Sequence, residues 1–188
     1  MTAHQPPTQA DAKAVMAALA RGERAALARL IAIFGPGIRR YAAQSLTVSS
    51  EAEDVAQEVF LRAWRHAERY DPSKGAVSSW LYRIAVNLCI DHNRRGGFRR
   101  FVGIDSMPEP EDDTPGAEVE YGARQRLAQT QAVIRTLPTR QKQAILLKAA
   151  GELSGAEIAM ALGTSEGAVE QLLVRARATL RARLELEE

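Results

Sequence analysis

Between Gly103 and Glu120 the chain reads GIDSMPEPEDDTPGAEVE, with seven acidic residues, three prolines (Pro108, Pro110, Pro115) and no lysine or arginine. Proline removes backbone donors and like charges repel, so a packed element is not expected there. The strip is expected to be a flexible acidic linker over residues 99–120. It allows only two small modules, about 13–98 and 121–188, with residues 1–12 as a disordered tail.

Both modules read as helical. In SSEAEDVAQEVFLRAWRHAERY the apolar positions Ala52, Val55, Ala56, Val59, Phe60, Ala63, Trp64 and Ala67 recur at steps of three and four, the stripe of a core-facing helix. Ser50 and Glu53 have the spacing of a capping box at its start. The opposite face carries Glu51, Asp54, Gln57, Glu58, Leu61, Arg62 and Arg65. After the loop YDPSKG, a second stripe runs through Val77, Trp80, Leu81, Ile84, Ala85 and Leu88, and its helix is expected to end at Arg94, Arg95 and the break Gly96-Gly97. Upstream, residues 24–34 form a helix with Leu27, Leu30, Ile31 and Phe34, and a separate short helix with Ile38 and Tyr41 follows Gly35-Pro36-Gly37. Beyond the strip, helices are expected over about Tyr121–Thr136 and Thr139–Ala150. Period-2 alternation is scarce, so the fold is all-α.

The stretch LSGAEIAMALGTSEGAVEQLL (Leu153–Leu173) has the spacing of a helix-turn-helix. Ser154 and Glu157 form a capping box, Gly163 suits a left-handed turn, and Ser165 caps the second helix. Ile158, Leu162, Val169 and Leu172 press the helices together, while an ordinary helical hairpin remains the bland alternative. Val169, Leu172, Leu173, Ala176 and Leu180 point inward, which leaves Glu170, Gln171, Val174 and Arg175 outward. Glutamate accepts from a cytosine amine, glutamine pairs with adenine, and arginine grips guanine or phosphate. A second helix that opens without lysine or arginine should grip free DNA weakly.

The charge is partitioned to match. Residues 1–101 carry 15 Lys/Arg against 9 Asp/Glu, and residues 121–188 carry 10 against 7, so two basic blocks flank the acidic strip and suit a polyanion. From Tyr70 to Arg95, aromatic Tyr70, Trp80 and Tyr82 interleave with Lys74, Arg83, Asn87, Arg94 and Arg95, a pattern suited to unpaired bases and their backbone. Trp80 also fits the core stripe. No enzyme constellation is seen: His4, His66 and His92 lack ligand spacing, and no phosphate loop or nucleophile elbow is present. Asp91 beside His92 reads as a surface detail. No catalyst, cofactor or metal is expected. One cysteine, Cys89, no apolar run near the roughly 18 residues that span a bilayer, and an N-terminus without a signal pattern point to the cytoplasm without membrane insertion.

DVAQEVFLRAW (Asp54–Trp64), SSWLYRIAVNLCIDHNRR (Ser78–Arg95), LPTRQKQAILLKAAGELSGAEIAMALG (Leu137–Gly163) and VRARATLR (Val174–Arg181) stand in the order seen in extracytoplasmic-function sigma factors of bacterial RNA polymerase. The chain resembles that family over nearly its whole length outside the tail and the strip. The resemblance implies an N-terminal sigma region 2 bundle and a C-terminal sigma region 4 helix-turn-helix. It implies docking of Asp54, Gln57, Glu58, Leu61, Arg62 and Arg65 on the β′ coiled coil of core polymerase, with the β flap as a further partner. It implies capture of an unstacked −10 base by Tyr70, Asp71, Pro72, Ser73, Lys74 and Asn87, with Arg83, Arg94 and Arg95 on the backbone. Glu170, Gln171, Val174 and Arg175 would face −35 bases, with Arg140, Lys142, Thr164, Ser165 and Arg177 on phosphates. An anti-sigma factor is also implied. The sequence departs from the family at Glu170 and Leu172, where many members carry basic residues, so no generic −35 sequence transfers. A DNA-binding regulator acting alone and a helical adaptor are the rival readings.

Overall fold

The computed structural model describes the backbone of residues 9–101 and 118–184, and side chains within 10–96 and 125–184. The expectations for the tail before Gln9 and for the strip over 102–117 lie outside the described residues. Eight α-helices and two 3-10 turns make up the described part, which contains no strand.

The chain enters as a helix earlier than expected. α1 (Gln9–Ala20) reaches into the segment read as a tail, because Ala12, Val15, Met16 and Leu19 form a buried stripe against α2. α2 (Arg24–Ser45) is one helix rather than two and carries Pro36 inside it. An internal proline costs about 3 kcal/mol, but complete burial of a large side chain returns about 1.5–3 kcal/mol each. Leu30, Ile38 and Tyr41, on either side of the proline, are all fully buried, while Pro36 itself faces solvent. Packing therefore outweighs the break.

α3 (Ala52–Arg65) buries the stripe read from its periodicity, with Trp64 half-buried and Ala67 in the 3-10 turn that follows. Its expected capping box does not form. Ser50 lies in a 3-10 turn, Ser49–Glu51, whose backbone bond from Glu51 to the Val48 carbonyl (3.3 Å) leads into the helix; the N-cap, Glu51, makes no side-chain cap. Such a turn supplies partners to helix-end groups without a side chain. α4 (Val77–Phe101) passes straight through Gly96-Gly97. Its later turns are tied down upstream of the glycines: Asn93 donates to the Ser45 carbonyl (2.9 Å) and accepts from the Thr47 amide (2.8 Å), and His92 meets Glu51 at 3.2 Å.

The C-terminal module comprises α5 (Glu118–Thr136), α6 (Thr139–Ala149), α7 (Gly155–Leu162) and α8 (Glu166–Leu184). α5 thus begins inside the segment expected to be linker. α8 packs on the other three. The two modules also meet: α4 packs against α7 and α2 against α6, and their buried residues form one continuous apolar core.

Candidate nucleic-acid interface

The loop that joins α3 to α4 is built by its own side chains. Asp71 accepts from the Ser73 amide (2.9 Å) and hydroxyl (2.6 Å), and pairs with Lys74 at 3.4 Å. The Ser73 hydroxyl first, then its amide and Lys74, hold the Asp71 carboxyl below its ordinary value. An aspartate that binds its own backbone two residues on is a turn-former. Tyr70 closes the loop by donating to the Gly75 carbonyl at 2.8 Å, and partial burial, then Asp71, raise its phenol. Pro72, Ser73 and Lys74 stay exposed at the tip.

Beneath this loop lies a recess of about 300 Å³, lined by Tyr70, Lys74, Trp80, Arg83 and Met160 among others. Tyr70 and Trp80 stand 5.8 Å apart with their rings tilted at 58°. Trp80 packs on the core and also walls the recess. Tyr82 does not join it. It is buried edge-on against Tyr41 at 5.9 Å, and burial drives its phenol well above the ordinary value, so it offers no stacking face. From the recess, Trp80, Arg83, Asn87, Ile90 and Arg94 follow one another at steps of three and four along one side of α4. Arg83, Asn87, Ile90, Arg94 and Arg95 are exposed, and Arg94 pairs with Asp91 at 3.5 Å. An aromatic recess continued by a cationic stripe has the chemistry that suits a single strand.

The outer face of α3 is open as the spacing required. Asp54, Gln57, Leu61 and Arg65 are exposed, and Glu58 and Arg62 are half-exposed, joined at 2.7 Å. Beside it runs an apolar groove of about 290 Å³ formed with α2, in which Leu27, Ile31 and Phe60 flank Leu61. Ile31 and Leu61 are 41% and 45% exposed and adjoin one another in this groove, so they form a continuous apolar patch. Leu27 and Ile31 were read from sequence only as core; the mismatch between a helical stripe and one wide enough to cover two neighbours is the signal for their second use.

The helix-turn-helix forms as expected. Ser154 accepts from the Glu157 amide at 3.2 Å while Glu157 accepts from the Ser154 amide at 2.9 Å, completing the capping box. Gly163 (φ +62°, ψ +47°) makes the left-handed turn that a Cβ would disfavour, and the Ala168 amide donates to Ser165 at 3.2 Å. Ile158, Ala159, Val169, Leu173 and Ala176 are buried. Glu170, Gln171, Val174, Arg175 and Arg177 are all exposed, and Val174 is bare at 58%. Arg140 reaches the Leu162 carbonyl (3.3 Å) at the end of α7, next to half-buried Thr164 and exposed Ser165. Lys142 stands apart from this group. It is half-buried near Arg135 and Cys89 of α4, and burial, then Arg135, lower its ammonium, so in this arrangement it faces the N-terminal module. Among the described residues no cluster of three His, Cys, Asp or Glu side chains could hold a metal, and no helix is long and apolar enough to cross a membrane.

Residues 30–99 match the family model of sigma-70 region 2, and residues 127–180 match that of sigma-70 region 4. The chain is 34% identical to the RNA polymerase sigma factor NccH of Alcaligenes xylosoxydans xylosoxydans, over 88% of this chain and 90% of NccH. It is 32% identical to the ECF RNA polymerase sigma factor RpoE of Cereibacter sphaeroides, over 79% of this chain and 80% of RpoE. The structure of CnrH in complex with the cytosolic domain of CnrY is similar across 94% of this chain and 99% of CnrH, with a TM-score of 0.73 at 27% identity. Two sigma regions in order, each carrying its own open surface, and relatives that match across most of both chains place the molecule: it belongs to the extracytoplasmic-function family of RNA polymerase sigma factors.

Proposed function

We propose that this sigma factor docks on core RNA polymerase through the outer face of α3, reads the −35 element through α8, and captures an unstacked −10 base in the recess between the Tyr70–Gly75 loop and Trp80. The observation that carries this reading is the presence in one chain of three separate surfaces, each with different chemistry. The α3 face is mixed polar and apolar, with Asp54, Gln57 and Glu58 beside Leu61 and Ile31, which suits a partner helix. The recess and its stripe are aromatic and cationic. The α8 face presents Glu170, Gln171 and Arg175, which fit base edges.

Magnitudes decide how the parts share the work. Extruding a base costs a few kcal/mol and one stacking platform returns about 1–3 kcal/mol. The recess alone barely breaks even, so opening a bubble draws on polymerase contacts. The acidic start of α8 likewise lowers the intrinsic grip on duplex DNA, and docking supplies the deficit. Arg140, Ser165 and Arg177 act on phosphates and fix register; Lys142 joins them only when it is released from α4. The likeness to CnrH held by the cytosolic domain of CnrY supports control of this chain by an anti-sigma factor.

Run-off transcription with purified core polymerase, with and without the chain, over a promoter library tests the proposal. Promoter-specific initiation that depends on the chain is the expected result. Duplex binding by the chain alone without such initiation would instead identify a regulator acting by itself, and partner binding without either would identify an adaptor.

A further inference from the structure

The polar groups that line the recess differ in how they are engaged. The Tyr70 hydroxyl is held by the Gly75 carbonyl, and Asp71 is held by Ser73 and Lys74. Arg69, in the 3-10 turn before the loop, and Arg83 line the recess as exposed cations. Ser79 is unlike all of these. It lines the recess from the first turn of α4, is only 2% exposed, and its hydroxyl has no hydrogen-bond partner among the described residues.

The loop itself explains how that hydroxyl comes to be spare. A serine inside a helix can turn its hydroxyl back to the carbonyl four residues earlier. For Ser79 that carbonyl is Gly75, which accepts from Tyr70 at 2.8 Å instead. The bond that closes the loop therefore leaves a buried donor behind, on the same recess as the ring pair Tyr70 and Trp80. Buried hydroxyls without a partner are rare, because each forfeits its bond to water. The fold makes no use of the oxygen, and alanine would be the better helix former there.

Exposure sorts what each group can hold. Phosphates are charged and suit the exposed guanidiniums of Arg69 and Arg83, contacts that position a strand without reading it. A buried neutral hydroxyl suits the neutral edge of a base. It both donates and accepts, so it can pair with a carbonyl, a ring nitrogen or an amine. We infer that Ser79 holds the extruded −10 base by its polar edge while Tyr70 and Trp80 lie against the ring, so that capture satisfies a hydroxyl the folded chain leaves unpaired. This rests on the reading of the recess as the capture site. The bond forms only with a base inside, so it contributes to opening and not to folding. Ser79 favours a base over a bare backbone and does not choose among the four.

The test uses the full chain bound to core polymerase. Its substrate is the −10 non-template strand of a promoter that the chain selects, as an oligonucleotide with every base present or with one abasic site moved along it. Affinity is read by fluorescence anisotropy. With the wild-type chain, one abasic position should weaken binding about fivefold or more. Ser79→Ala should weaken binding of the intact strand about three- to tenfold. On the strand abasic at that position the same variant should lose no more than about twofold, because the two changes remove one shared contact. The thermal midpoint of the free variant should equal or exceed that of the wild type. Equal losses on intact and abasic strands would overturn the inference, and so would a lower midpoint, since either makes the hydroxyl a support of the fold. If no abasic position weakens binding by the wild-type chain, the capture reading fails and this inference fails with it. If one does, and Ser79→Ala still binds the intact strand as tightly as the wild type, only the role of Ser79 falls.

Discussion

The two candidate DNA-contacting surfaces of the molecule are opposites in shape and chemistry. The N-terminal one is concave, aromatic and basic, built from a self-bonded loop and the first turns of α4, and a side chain from the other module sits in it. The C-terminal one is convex and bare along α8, and it begins acidic with Glu166 and Glu170. A surface meant to enclose an extruded base must be shaped in advance and kept from filling wrongly. A surface that lies along duplex edges needs only outward side chains on a rigid helix. On the proposed reading the difference teaches why one chain carries both: the recess would gain from contacts realised only once a strand opens, and the helix would supply position before that.

The largest expected effect breaks the comparison by removing what the two surfaces share. Ile158 of α7 is fully buried in the core that joins the modules. Ile158→Ala should lower stability by about 2–5 kcal/mol, read as a lower denaturation midpoint by urea titration followed by circular dichroism, with both modules affected. A smaller change separates docking from DNA contact. Gln57→Ala with Glu58→Ala removes polar groups from the α3 face and frees Arg62 from its 2.7 Å partner. It should weaken core binding by about tenfold, or about 1.4 kcal/mol, measured by fluorescence anisotropy, and leave duplex binding by the free chain unchanged. The smallest effect sharpens the character of the reading helix. Glu170→Lys should raise the chain's affinity for all duplexes modestly and steepen its salt dependence by about one counterion, seen in a salt titration; a gain confined to one sequence would mean that Glu170 reads a base.

Much of this was legible in the residues, where one local rule governed the outcome. The stripe from Ala52 to Ala67, the Ser154–Glu157 box and the Gly163 turn needed only helical periodicity and capping chemistry, and each formed as read. The failures came where tertiary burial outweighed a local rule. Pro36 and the Gly96-Gly97 pair read as breaks, but helices pass through both because neighbouring side chains are buried or bonded. Ser50 lost its capping role to a 3-10 turn. α1 carried its stripe in plain view at Ala12, Val15, Met16 and Leu19, without a capping signal to mark where it starts.

At the candidate site, residue type was easier to read than direction. Tyr70, Arg83 and Asn87 emerged on the expected surface, whereas Tyr82 turned inward to Tyr41 and Lys142 toward α4. Spacing along a helix gives relative angles; which angle faces a second module depends on contacts between residues far apart in the chain, as between Ser78 and Glu157. Met160 was invisible for the same reason. Cys89 of α4 is buried as well, and burial pushes its thiol up to about 12.

Asn87, exposed one turn beyond Arg83 on α4, tests the account most directly. Promoter opening should be measured with core polymerase and a promoter carrying a fluorescent base analogue in the −10 non-template strand, with core affinity measured in parallel. Asn87→Ala should reduce opening about tenfold, equivalent to about 1.4 kcal/mol, and leave core binding within about twofold. Equal loss of opening and core binding would contradict the account, because Asn87 would then support the fold of α4 and not the capture of a base.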